Sequence, residues 1–351
     1  MVLHVVGVSA GPDGSGYHRL FQPFKELRNR SQHFYEGPPV QTPPPPTRKD
    51  IADLGIDVLV MQRPVGAQGR KIWDDMDGAC ARVYECDDDI LHPEASGLAA
   101  LCDDRIRESI RYMLWRSDAV TVSTEYLAEE FGKVTEAPVI VLPNCIHEDL
   151  LRLERTRRDR VTIGWAGGAS HLIDILGIQE ALIHVLETNP QADFHAIGVD
   201  YTPVLWVRAP RVLSQCRRTI WKEDVWDFYR DYDFDIALAP LADVKFNRSK
   251  SHLKALDAFA RGVPVIAQDM EPYRGFVIDG KNGYLCRNED QWAARLRELV
   301  NDPDAREEMG RNGKALAAEW TIQKRWALWE SAYEAAAASA GRGQPPQEIS
   351  R

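Results

Sequence analysis

Four charged residues, Lys250, Lys254, Asp257 and Arg261, stand four, three and four positions apart. On a helix that spacing lines them up as one stripe. Leu253, Leu256, Phe259 and Ala260 fall on the other face, so the period is helical and amphipathic. The spacing predicts a helix of about eleven residues ending at Gly262, which suits the left-handed position after a helix end. Two lysines near a helix N-terminus oppose the positive end of the dipole, and a bound anion relieves that conflict. Lys250 with the backbone N–H groups near Ser251 and His252 makes a phosphate cradle. Asp257, about two turns further in, is placed to accept from ribose hydroxyls. A salt-laced, solvated face is the alternative use of the same pattern.

The elements that must hold this helix are legible on both sides. Ile236–Leu238 reads as a short buried strand stopped by Ala239-Pro240-Leu241, and Val263–Ala267 as the next strand. Strand, loop, helix, strand is one turn of a doubly wound parallel sheet. The stretch 236–268 resembles the nucleotide-sugar segment of GT-B fold glycosyltransferases, nearest to the large retaining family numbered four. Those chains carry two Glu residues on this helix before a Gly-Val-Pro-Val strand. Here Asp257 takes the second Glu position, Ser249 the first, and Gly262-Val263-Pro264-Val265 follows. The run from Ser117-Asp118-Ala119 to Pro143-Asn144 also resembles the close of a GT-B N-terminal domain, with Cys145 where such chains have Gly.

The resemblance implies an α/β chain of two doubly wound Rossmann-like domains facing a cleft. Expected bounds are 1–150 for the acceptor side and 151–325 for the nucleotide-sugar side. Residues 326–340 are a helix returning to the first domain, with Trp326, Trp329 and Tyr333 at helical spacing, and 341–351 are a disordered tail. It implies transfer of a sugar from a nucleotide-sugar, UDP- or GDP-linked, to a hydroxyl acceptor with retention. No metal or tightly bound cofactor is expected. The acceptor class stays open among glycan, lipid, protein and modified nucleic-acid base. Binding of a sugar-nucleotide without transfer, and sugar-nucleotide epimerisation on the same fold, are the alternatives.

At the N-terminus, a strand over Val2–Val8 meets a loop with Gly11, Gly14 and Gly16, and a helix opens at Tyr17-His18-Arg19. The loop lacks the Gly-Lys-Ser/Thr of a phosphate loop and the glycine spacing of a dinucleotide site. By the resemblance, Gly16 and Arg19 lie at the cleft. Asp87-Asp88-Asp89 follow the strand Arg82–Cys86. Three adjacent acids repel one another, so they are solvated, bind a cation or include a base of raised pKa. Asp88 and Asp87, with Arg19, are the catalytic candidates, and His92 is a nearby alternative to the functional His of family four. In the second domain the strand Val161–Ala166 leads into Gly167-Gly168-Ala169-Ser170-His171. Family four usually has an Arg and a Lys there for the diphosphate. Gly167, Gly168 and His171 are assigned that work, helped by Lys250, Ser251 and Lys254. The donor base is expected near Trp221 and Val225.

Composition sets outer limits. The chain has 351 residues and 44% hydrophobic content, enough for about two packed domains. Its net charge of −10 argues against a broad nucleic-acid surface. The six cysteines, at 80, 86, 102, 145, 216 and 286, form no C-x-x-C pair, so no zinc or dithiol site is indicated and a reduced, cytoplasmic protein fits. No apolar run approaches the ~20 residues of a membrane span, and no leader pattern is seen. Residues 36–50, with Pro38, Pro39 and Pro43 to Pro46, read as an extended segment. The arginine-rich stretch 148–160 reads as a solvated linker.

Overall fold

The computed structural model describes residues 2–11, 13–37, 45–93, 103–156, 158–168, 171–198, 216–220 and 225–340, the backbone alone for 216–220. The prolines at 38, 39, 43 and 44, Ala169, Ser170, Trp221 and the tail 341–351 lie outside the described residues. The chain divides into two compact units. One holds residues up to Leu91, those running to Pro143, and those from Arg325; the other holds Asn144–Lys324.

The first unit carries β1 (His4–Val8), β2 (Phe34–Glu36), β3 (Val58–Gln62), β4 (Ala81–Cys86), β5 (Ala119–Val122) and β6 (Val139–Val141), in the order β2-β1-β3-β4-β5-β6. Every pairing is parallel. β3, β4 and β5 are buried along their whole length, and β3 and β5 are accordingly mostly apolar, while β4 buries Arg82 and Glu85 with partners. The helix Ala327–Ala340 packs on β4 and β5 of this unit. Trp329 and Tyr333 are buried in that contact, and the Tyr333 ring meets Phe24 edge-on at 5.7 Å. Its polar edge is tied by His33 Nε2 to Glu334 at 3.0 Å.

The second unit carries β7 (Val161–Gly167), β8 (Ala192–Gly198), β9 (Cys216–Ile220), β10 (Ile236–Ala239), β11 (Val265–Gln268) and β12 (Gly283–Cys286). Their order is β12-β11-β10-β7-β8-β9, again all parallel. The chain winds one way from β7 to β9 and then the other from β10 to β12. The direction reverses between β7 and β10, and in such sheets a crevice opens there beyond the strand ends. The two doubly wound α/β sheets expected from the sequence are both present.

One expectation changes. The helix before Gly262 runs over Leu253–Ala260, eight residues rather than about eleven, and a separate short helix, Lys245–Arg248, stands where a loop was expected. Ser249 Oγ donates to the Phe246 carbonyl at 2.6 Å and ends the short helix, leaving Lys250 and Ser251 between helices. Gly262, at φ 67°, closes the longer helix as expected. The stretch 148–160 is largely exposed, and its arginines have partners. Arg158 pairs with Asp233 at 2.7 Å and Arg160 with Asp193 at 2.8 Å. Arg155 donates to the Phe234 carbonyl at 2.5 Å. These arginines fasten the entry of β7 to its neighbours, because the sheet edge there is acidic.

Candidate functional site

In the second unit the loops after β7 and β10 meet. β7 ends at Gly167, whose absent Cβ would lie 2.4 Å from the Trp165 ring. Gly167 is therefore required by that indole, whereas Gly168 faces open space. The chain then turns back, His171 N–H donating to the Gly168 carbonyl at 3.2 Å. The short helix Leu172–Leu176 places Asp174 three residues after His171. Asp174 is 1% exposed and accepts three hydrogen bonds. They come from His171 Nδ1 at 2.7 Å, Asn247 Nδ2 at 2.7 Å and Ala242 N–H at 2.8 Å. One buried carboxylate thus joins the loop after β7 to the loop after β10.

Three basic groups gather at this junction. Lys254 Nζ donates to the Ala166 carbonyl at 2.6 Å and lies 5.9 Å from the Trp165 ring centre. Burial, with Lys250 adding to it and Asp174 and Asp257 opposing, pulls its ammonium down to about 8. Burial, Lys254 and Lys250 together pull the His171 imidazole down to about 4, against the pull of Asp174. The Lys250 ammonium lies 4.4 Å from the Phe246 ring centre. Ser251 Oγ accepts from Asn144 Nδ2 at 2.8 Å, which leaves its own hydroxyl proton to donate. No side chain caps the helix Leu253–Ala260, so its first turn keeps backbone donors. The cluster carries more positive than negative groups in a half-buried place, where such an excess is costly until an anion arrives.

Asp257 is 7% exposed and takes a hydrogen bond from Tyr229 Oη at 2.8 Å on Oδ1. Among the described residues its Oδ2 has no hydrogen-bond partner. Burial pushes its carboxyl up to about 7, with Tyr229 and Lys254 holding it back. The charged stripe is thus a buried face rather than a solvated one. Its last member, Arg261, donates to the carbonyls of Leu153, Glu154 and Tyr232 and serves the fold.

In the first unit the strand ends β1, β3 and β4 gather a different set. Gly16 is fixed by packing: a Cβ there would lie 2.4 Å from the Gly11 carbonyl oxygen and 2.5 Å from Ser9 Oγ. Ser9 Oγ donates to Gln62 Oε1 at 3.0 Å across the reversal between β1 and β3. Ser15 Oγ donates to Asp87. Asp87 and Asp88 are half-buried and face Arg63 at 3.9 and 3.7 Å, while Asp13 pairs with Arg63 at 3.2 Å. Burial works against the Arg63 charge, but the three acids outweigh it and raise its pKa. Arg63 has φ 46°, the one non-glycine residue with positive φ among the described residues. Such a backbone costs about 1–3 kcal/mol and persists only where the surroundings hold it.

Arg19 corrects an expectation. It is wholly buried within the first unit. Its guanidinium forks onto Glu85 at 2.7 and 3.1 Å and donates to the Leu142 carbonyl. Every described partner is internal, and a substrate hydroxyl has no path to it. Asp89 is buried too. The sequence reasoning left Asp174, Asn247, Tyr229 and Arg63 without a role. Asp174 was signalled by its i, i+3 spacing from His171; Arg63 had no local signal, since its partners come from other strands.

Residues 179–331 match the family model described as glycosyl transferase-like. No curated protein matches the chain by sequence. Among solved structures, Anabaena HepE in complex with UDP is 15% identical, with TM-score 0.62, over 94% of this chain and all of HepE. TarM is 15% identical, with TM-score 0.60, over 79% of this chain. The pneumococcal O-GlcNAc transferase GtfA, in complex with UDP and GlcNAc, is 18% identical, with TM-score 0.60, over 82% of this chain. The chain spans 54% of the length of TarM and 59% of GtfA. The chain has the GT-B fold of these structures, and most of the residues matched by the glycosyl transferase-like model lie in its second unit. Among the described residues no helix is long and apolar enough to cross a membrane.

Proposed function

We propose that the protein transfers a sugar from a nucleotide-sugar, a UDP-sugar first, to a hydroxyl acceptor, with retention of configuration. The observation that carries this is the cluster of Lys250, Lys254 and His171 around buried Asp174 at the reversal between β7 and β10. Its excess positive charge suits a diphosphate, and charge developing on a leaving diphosphate is what such a site stabilises. Lys250, Lys254, Ser251 and the backbone at Gly167 and Gly168 hold the phosphates. Asp257 Oδ2 accepts from a ribose hydroxyl while Tyr229 steadies Oδ1. UDP is preferred because HepE and GtfA were solved with it.

On the acceptor side, Asp87 and Asp88 receive hydrogen bonds from sugar hydroxyls, with Arg63 facing both acids. The acceptor is therefore hydroxyl-rich, a glycan or glycosylated surface. The test is release of UDP or GDP from a panel of UDP- and GDP-sugars, with and without simple glycosides as acceptors. Nucleotide released faster with acceptor, and a glycosylated product by mass, supports the reading. Neither binding nor release with any donor overturns it.

A further inference from the structure

Resting on the reading of this cluster as the diphosphate site, we infer that nucleotide-sugar binding takes up a proton, which His171, oriented by Asp174, holds against the diphosphate. The argument is one of donors and acceptors. Asp174 accepts at Oδ1 from Asn247 and Ala242 and at Oδ2 from His171 Nδ1. The imidazole proton therefore sits on Nδ1, and the neutral ring offers only a lone pair at Nε2. Nε2 has no hydrogen-bond partner among the described residues, and the side chain is 12% exposed. A diphosphate oxygen is also an acceptor. Two acceptors do not bond until one proton is added between them, and solvent supplies it to Nε2. The product is an imidazolium bridging Asp174 and the diphosphate.

The surroundings explain why the proton comes with the ligand. The ionisable groups acting on His171 are Asp174 from its own helix, and Lys254 and Lys250 from the segment after β10. Tyr273, near Asp174, is buried and its phenol is held neutral. In the free site burial disfavours the charged ring and the two lysines repel a third cation, so the ring stays neutral at pH 7. A bound diphosphate reverses the sign of that local field and favours the imidazolium.

The test is calorimetry of UDP-glucose binding at about pH 6.5 in two buffers of different ionisation enthalpy. A diphosphate with sugar on one side and nucleoside on the other does not titrate near this pH. Lys254, with its pKa about 8, is already protonated there, and because the Asp257 carboxyl, at about 7, titrates in this range, every titration is repeated in the Asp257→Asn background, where only His171 is left to take up the proton. With His171 intact, that background should take up roughly one proton per site. His171→Gln should bind more weakly and take up none, and His171→Asn serves as a second variant. Binding without proton uptake overturns this inference and leaves the donor site standing, as does uptake that survives in both variants. Failure of both UDP-glucose and GDP-glucose to bind overturns the donor reading and this inference with it.

Discussion

The two units present the same element, a strand running into a loop at the reversal of a parallel sheet, and charge it oppositely. After β7 and β10, Lys250, Lys254 and His171 surround Asp174, with Asp257 close by. After β1, β3 and β4, Arg63 faces Asp13, Asp87 and Asp88, and Arg19 is consumed by Glu85. The one place has positive charge to spare and suits an anion. The other has its cation outnumbered and suits hydroxyl groups. On the proposed function the same topology would serve two ligands, because topology sets only where the loops meet and the loop residues set the charge.

The largest effect expected from this contrast is on the basic side. Replacing Lys250 and Lys254 together by Ala should weaken UDP binding about 100-fold or more, since hydrogen bonds to charged groups contribute about 1.5–3 kcal/mol each. Uridine should lose far less in the same calorimetric titration. Equal losses for nucleotide and nucleoside would show that the lysines act through the fold and not on phosphate.

On the acidic side, Asp88→Asn should lower acceptor-dependent turnover about tenfold and leave the Kd for UDP-glucose within a factor of about two. The side chain keeps its shape and loses only the charge facing Arg63. Turnover at the wild-type level returns Asp88 to the status of a surface-turn acid.

The remaining effect is on stability and involves no ligand. Asp257, raised to about 7 when folded and about 3.9 when unfolded, binds more protons in the folded state between those values. Its contribution to stability is present below about pH 4 and lost as pH rises towards 7. Asp257→Asn keeps an acceptor for Tyr229 and has no charge to bury. Its thermal stability relative to wild type should therefore climb between about pH 4 and 7 and then level off. The two pKa values put the gain at the plateau on the order of 4 kcal/mol at most. A difference that is flat across that range shows that Asp257 does not titrate in it.

Much of the fold was legible because it is written locally. β3, β5 and β10 are mostly apolar runs, as burial on both faces of a parallel sheet favours. Gly262-Val263-Pro264-Val265 marked a helix end and a strand start, and both are there. The basic half of the site was legible for a similar reason: Lys250 and Lys254 share one short segment, and His171 follows a strand end. What failed was accessibility. Arg19 looks like a loop-end cation in the sequence, yet Glu85, sixty-six residues away, takes it into the core.

The sequence by itself determined the alternation of strands and helices, the glycine turns and the residues available to meet a phosphate. These depend on near neighbours and on periodicity. Only the tertiary structure decided which charges are matched. Asp174 joins His171 to Asn247 across seventy-three residues, and Arg63 gathers acids from the ends of β1 and β4. Whether a cation is spent internally or left for a ligand is a property of what folds against it, and no local pattern carries that.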